Sequence, residues 1–169
     1  MSVRRLWPGE GAIYGRIRLE AIESDPESFA ADPSDYANFT ASDWENVLAR
    51  RVAFVAFDNE MAVGLASLVP LELSRVAHRA EVTNVYVSPA YRGAGMASEL
   101  WHAVEAHAFS TGITQLELAV SAENAAALRF YEKNGCVPIG RLPAGMRHQD
   151  RFVDEILMVR TLGGAADPS

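Results

Sequence analysis

The stretch Val85-Tyr86-Val87-Ser88-Pro89-Ala90-Tyr91-Arg92-Gly93-Ala94-Gly95-Met96-Ala97 decides how the rest of this chain is read. Val85 to Val87 is β-branched and aromatic, as strands prefer, and Ser88-Pro89 stops it. A short loop with Gly93 and Gly95 follows. Met96, Leu100, Val104 and Phe109 then recur at roughly helical spacing until Gly112. The order is strand, glycine loop, helix. Glycines in such a loop let backbone N–H groups crowd around a ligand with no Cβ in the way. The unpaired amides of a helix's first turn, together with its dipole, attract an anion. Arg92 adds a cation at the entrance. A diphosphate suits that set of groups. The usual dinucleotide fingerprint is absent, because it needs a third glycine and an acidic residue after a second strand. The nucleoside-triphosphate loop is absent too, because no Gly-Lys-Ser/Thr occurs.

Upstream, Glu81 to Val87 reads as one strand. Before it, Val52 to Phe57 and Met61 to Val69 read as a hairpin turning at Asp58-Asn59-Glu60. The first third reads as helical. Ile13, Ile17, Leu19 and Ile22 fall at nearly helical spacing, and Asp25-Pro26 ends that helix. A loop rich in Pro, Asp and Ser runs from Ser24 to Asp35. Ser42 then precedes a run with Trp44, Val47 and Leu48 on one face, with Glu45 placed to complete a capping box. Downstream, Leu116 to Val120 is a strand and Asn124 to Asn134 a helix stopped by Gly135. Val137 to Leu142 and Val153 to Val159 form a closing strand pair. This order predicts an α/β architecture, a mixed central twisted sheet flanked by helices on both faces. One domain is expected over residues 1–162, with 163–169 as a flexible tail of small and polar residues.

Composition narrows the function classes. The chain of 169 residues fits one domain, with 49% hydrophobic and 22% charged residues. A net charge of −7 repels the phosphates that dominate nucleic-acid affinity, so DNA or RNA is not an expected partner. It is compatible with a cationic substrate such as an amine. The single cysteine, Cys136, excludes an internal disulfide and a thiolate metal cluster, and reads as a small core residue. No metal site is expected. Met1 to Pro8 carries charge with no apolar stretch behind it, and no window approaches a membrane span. A cytoplasmic protein without membrane attachment is expected.

Taken together, two motifs resemble one superfamily. Arg92-Gly93-Ala94-Gly95-Met96-Ala97 looks like the acyl-CoA pyrophosphate loop of the GCN5-related N-acetyltransferase (GNAT) superfamily, and Val85 to Tyr91 is similar to its fourth strand and turn. Asn124-Ala125-Ala126-Ala127-Leu128-Arg129-Phe130-Tyr131, followed by Gly135, resembles its second CoA motif. The likeness covers about Val52 to Leu162 by motif order. It implies acetyl-CoA as the acetyl donor and an amine as the acceptor. Backbone groups of Val85 and Val87, flanking Tyr86, would pair with the pantetheine arm as an added strand would. Amides from Gly93 through Ala94, Gly95, Met96 and Ala97 to Ser98 would hold the pyrophosphate. Asn124 would meet the pantetheine region, and Tyr131 would protonate the leaving thiolate. Asn124 and Tyr131 lie two helical turns apart, so both face one side. Packing against the sheet beside Phe130 is the plainer alternative for Tyr131, but Phe130 already occupies the neighbouring face, which favours the functional reading.

Amide formation needs a neutral amine, so a base or a water relay to one is required. Glu81 is the candidate base: its odd number puts it on the face of Val85 and Val87, and its position matches the glutamate of histone-acetylating members. An exposed strand-end carboxylate reads equally well. The ribosomal-protein branch carries a glutamate where this chain has Ala119, so that mechanism does not transfer; Glu117 could substitute through water. On the acceptor side, Asp25, Glu27, Asp32 and Asp35 could attract a polyamine or lysine, although a solvated loop explains them too. His148 and Asp150 read as a surface loop, His78 as lying near the cleft mouth, and His102 as a helix-face residue. A non-catalytic acyl-CoA-binding module and an acyltransferase using a longer acyl group remain alternatives. The resemblance also leaves room for a homodimer.

Overall fold

A computed structural model of the chain describes residues 1–163; of the tail expected over 163–169, all but Gly163 lies outside the described residues. In chain order the elements are β1 (Ser2–Arg5), α1 (Gly11–Ser24), α2 (Ala41–Ala49), β2 (Val52–Asp58), β3 (Met61–Pro70), β4 (Arg79–Val87), α3 (Met96–Ser110), β5 (Gln115–Ser121), α4 (Ala125–Lys133), β6 (Val137–His148) and β7 (Arg151–Thr161). The strands follow the order β1-β2-β3-β4-β5-β7-β6. β4 and β5 run parallel, while β1–β2, β2–β3, β5–β7 and β6–β7 are antiparallel. This is the mixed α/β sheet that the sequence predicts. The chain forms two compact units: Met1–Val69 with Val82–His107, and Pro70–Glu81 with the described residues from Ala108 onward. β4 contributes to both.

In the first unit, β2 is buried at six successive positions, as a strand covered on both faces must be. One face carries α1 and α2: Tyr14, Ile17, Ala21, Trp44 and Leu48 pack over Ala53, Val55, Leu65 and Tyr86. Burying each large apolar side chain contributes about 1.5–3 kcal/mol. α3 covers the other face. A Cβ added to Gly64 would sit 3.1 Å from Leu100 Cδ1, so the helix approaches this strand more closely than a larger residue permits.

The N-terminal region is not helical throughout, as β1 pairs antiparallel with β2 from Ser2 opposite Phe57 to Arg5 opposite Phe54. Arginines conceal this edge strand from pattern reading. Arg4 lies over the Phe57 ring and Arg5 over Trp7. The cap of α2 is Thr40 paired with Asp43, two residues earlier than the Ser42–Glu45 box. Glu45 instead accepts from the amides of Gly9 (3.0 Å) and Gly11 (2.6 Å) at the start of α1. A longer-range need, the orphan donors of another helix, outweighs the local one.

In the second unit, β5 lies between the start of β4 and β7, and β6 forms the edge. The β6–β7 pair is longer than its apolar pattern indicates and turns at Gln149-Asp150, with Gln149 at φ 53°. His148 and Asp150 therefore sit at the tip of this hairpin. Asp154 holds an irregularity in β6, accepting from the Ala144 amide and Arg141 Nε. Among the described residues no helix is long and apolar enough to cross a membrane, and no three His, Cys, Asp or Glu side chains are grouped as metal ligands.

Candidate active site

The glycine loop lies in the first unit and joins the end of β4 to α3. Gly93 and Gly95 adopt φ 81° and 84°, the left-handed region that other residues enter only at a cost. No atom lies within 4 Å of a Cβ built on either, so the space beside both is open. The loop's conformation, rather than its packing, requires glycine. Gly95 O accepts from Ser98 N (3.0 Å) and Glu99 N (3.1 Å), which starts α3. The Ser98 amide is thus used within the helix, and its hydroxyl is what it offers an anion. Gly95, Met96 and Ala97 supply amides at the helix start.

Arg92 is anchored by Nε donating to Val87 O (2.9 Å) and an ion pair with Asp25 (3.3 Å). Its charge is shared with Asp25, and the Val87 carbonyl already accepts one bond. Tyr91 Oη donates to Asp58 at 2.8 Å, fastening the loop to the β2–β3 turn. Glu20 on α1 accepts from Tyr86 Oη (3.1 Å) and from Ser88 Oγ. Nothing in the spacing of Glu20 marks that role.

β4 contains an extra residue. Leu71 N donates to Arg79 O, and Ser88 N donates to Val63 O. Between those bonds β4 advances nine residues while β3 goes back eight. Asn84 absorbs the difference at φ 57°, a conformation costing about 1–3 kcal/mol. Alternation breaks there. The odd numbering that set Glu81 on the face of Val85 and Val87 therefore does not carry across Asn84.

In the second unit Tyr131 is the one buried residue of α4, 8% exposed, with Phe130 edge-on at 5.2 Å between ring centroids. Burial pushes its phenol well above the ordinary tyrosine range, and the nearby Cys136 thiol adds to the shift. The group therefore stays a neutral O–H donor at every physiological pH. Asn124 is the N-cap of α4, its Oδ1 accepting from Ala127 N at 3.0 Å.

Glu81 is exposed and faces Glu117 across the parallel β4–β5 pair. The two carboxylates differ in their partners. Arg79 donates Nε and Nη2 to Glu117, and Gln115 Nε2 donates at 3.0 Å. Those bonds, the guanidinium's first, hold the Glu117 carboxyl below its ordinary range and outweigh its burial. An ion-paired carboxylate of lowered basicity is a poor proton acceptor.

The acidic residues of the first loop have local duties. Asp25 pairs with Arg92, and Asp32 with Asp35 forms the capping box of the 3-10 turn Pro33–Tyr36. Two residues that sequence reading passed over matter more. Tyr14 is 1% exposed, and its hydroxyl accepts from Asn84 Nδ2 and Arg51 Nη1. Arg18 is 6% exposed with Nη1 unpaired and its guanidinium over Phe29. An i, i+4 repeat would have grouped Tyr14 with Arg18, but neither matches a motif.

These features belong to a known class. The profile of the Acetyltransferase (GNAT) family matches residues 16–136, most of the chain. An uncharacterized N-acetyltransferase of Mycobacterium tuberculosis (strain H37Rv) is 33% identical over 115 residues, 67% of this chain and 69% of that protein. Among solved structures, a GNAT-family acetyltransferase from Streptococcus pneumoniae superposes with a TM-score of 0.83 at 24% identity, over 96% of this chain and 99% of its own. A putative acetyltransferase from Salmonella typhimurium, solved with its cofactor acetyl-CoA, gives 0.82 at 19% identity over 100% and 98%. The chain belongs to the GNAT acetyltransferase family.

Proposed function

We propose that this protein transfers the acetyl group of acetyl-CoA directly to a primary amine, on a small molecule or a peptide, in a ternary complex. The observation that carries the proposal is the loop of two left-handed glycines opening onto the α3 N-terminus, with clear space beside both. In this reading amides of Gly93, Ala94, Gly95, Met96 and Ala97, the Ser98 hydroxyl and Arg92 hold the pyrophosphate. Backbone groups of Val85, Tyr86 and Val87 and the Asn124 amide hold the pantetheine arm. Residues 1–162 act as one N-acetyltransferase domain.

The amine attacks the thioester carbonyl carbon, a β4 backbone N–H stabilises the oxyanion, and the C–S bond breaks. In this reading Tyr131 donates a hydrogen bond to the leaving thiolate. Its proton is held more tightly than a thiol near pH 8.5 would hold one. The phenol therefore stabilises the developing thiolate by hydrogen-bond donation, and the amine's proton, taken through Glu81, balances the reaction. Buried Cys136 is poorly placed to carry an acetyl group, which supports direct transfer over an acetyl-enzyme. Replacing Glu81 with Gln tests the base. The acidic limb of the pH–rate profile should shift or flatten; an unaltered limb assigns the base elsewhere.

A screen of acetyl-CoA against polyamines, aminoglycosides, amino acids and peptide N-termini, read by thiol release, tests the function. Binding without release for any amine would favour a non-catalytic acyl-CoA module. Faster release from succinyl-CoA would favour a longer acyl donor. The homodimer is tested by the mass in solution.

A further inference from the structure

The left-handed residue in β4 does not stand alone. Asn84 Nδ2 donates to Tyr14 Oη at 2.9 Å, and Arg51 Nη1 donates to the same oxygen at 2.9 Å. These bonds join residues 70 and 37 positions apart, from β4, α1 and the segment between α2 and β2. Arg51 is itself tied back to α2, Nε donating to Val47 O at 3.1 Å. Tyr14 has no freedom to wander: it is 1% exposed, and its ring packs against Trp44 at 6.2 Å between centroids. A hydroxyl oxygen offers two acceptor positions, and here both are filled by amide and guanidinium donors. A phenylalanine would fill the same hydrophobic volume. Only the oxygen can receive both donors.

Asn84 immediately precedes Val85, and its φ of 57° sets how the backbone enters Val85. A single misdirected peptide there rotates the amide that the proposed chemistry uses. We infer that Tyr14 is a positioning residue: its hydroxyl, shared with Arg51, clamps Asn84 in the left-handed conformation and so aims the Val85 backbone at the thioester. This rests on the acetyl-transfer reading for its catalytic consequence, but the clamp itself is a property of the folded chain. Tyr14 touches neither substrate; it acts through Asn84. Errors of about 1 Å in placing a reacting group cost up to about 100-fold in rate.

The test compares Tyr14→Phe with Asn84→Gly in the full chain. Glycine accepts a positive φ freely, so Asn84→Gly removes the tether without adding backbone strain. Both variants should lower kcat about tenfold or more, with acetyl-CoA and the best amine of the screen, and leave the dissociation constant for CoA within about threefold. Amide hydrogen exchange at Asn84 and Val85 should quicken in both. Unchanged kcat and exchange in folded Tyr14→Phe, with only a lower Tm, would reduce Tyr14 to a packing residue and overturn the inference. If Tyr14→Phe fails to fold, Asn84→Gly decides alone. If the wild-type protein acetylates nothing, the proposed function fails; exchange at Val85 still decides the clamp, and an unchanged rate in Asn84→Gly sinks it.

Discussion

The glycine loop and the acid–base side of this protein hold their groups by different means. Gly93 and Gly95 present amides because the backbone there is left-handed and a helix begins, and every residue involved lies within one short stretch. Tyr131, Glu81 and Glu117 depend on environment instead. Tyr131 is a neutral donor because it is buried, and Glu117 is a poor base because Arg79, 38 residues away in sequence, donates to it. A site built from backbone tolerates side-chain change but not a change of φ. A site built from side-chain protonation states shows the opposite sensitivity, and kinetics can separate the two.

The largest effect is expected for Tyr131→Phe, which keeps the buried ring and removes the donor. Turnover should fall about 100-fold, within the usual range for losing one hydrogen-bond donor to a developing charge, with KM for acetyl-CoA little altered. Equal turnover at all pH values would make Tyr131 a packing residue beside Phe130. Gly95→Ala should give the reverse signature. KM for acetyl-CoA should rise about tenfold with a smaller change in kcat, and the backbone strain of a Cβ at φ 84° should cost about 1–2 kcal/mol of stability. A normal KM would mean that the loop does not hold the donor.

Two smaller effects follow from protonation. The raised Tyr131 pKa means that the native state keeps a proton that the unfolded chain loses near pH 10. Its contribution to stability is fully present below pH 10 and is lost as pH rises above it, so Tyr131→Phe should unfold less steeply with alkali than the wild type. Glu117 has the opposite sign. Its lowered pKa contributes stability above the ordinary carboxylate range, lost as pH falls through the native value. Glu117→Gln should therefore lower Tm by a few degrees at pH 7, flatten the loss of Tm on acidification, and leave turnover largely intact. Abolished turnover with an unchanged Tm would return Glu117 to the list of bases.

Legibility follows the same division. The strand, the loop and α3 were readable because β-propensity, Pro89 and two glycines coincide within 13 residues, and Asn124 with Tyr131 supplied a second contiguous motif. Long-range pairing was not readable. β1 carries two arginines in four residues and pairs through its backbone, so it shows no alternation of apolar side chains. Glu45 resembled a local cap but serves another helix. Asn84 looked like an ordinary strand residue; its left-handed φ goes with an extra residue in β4, and its side chain bonds to Tyr14, 70 residues earlier. The argument from odd numbers for Glu81 failed at that same residue. Spacing in a strand holds only as long as no residue is inserted.

The most direct test of acetyl transfer follows thiol release and acetylated product together, with acetyl-CoA present and each amine of the screen supplied or withheld. The account expects thiol release that depends on one class of amine, one acetylated amine formed per thiol released, and no acetyl group retained on the protein. Saturable acetyl-CoA binding with no amine-dependent release, or an acetylated enzyme that accumulates when amine is withheld, would contradict it.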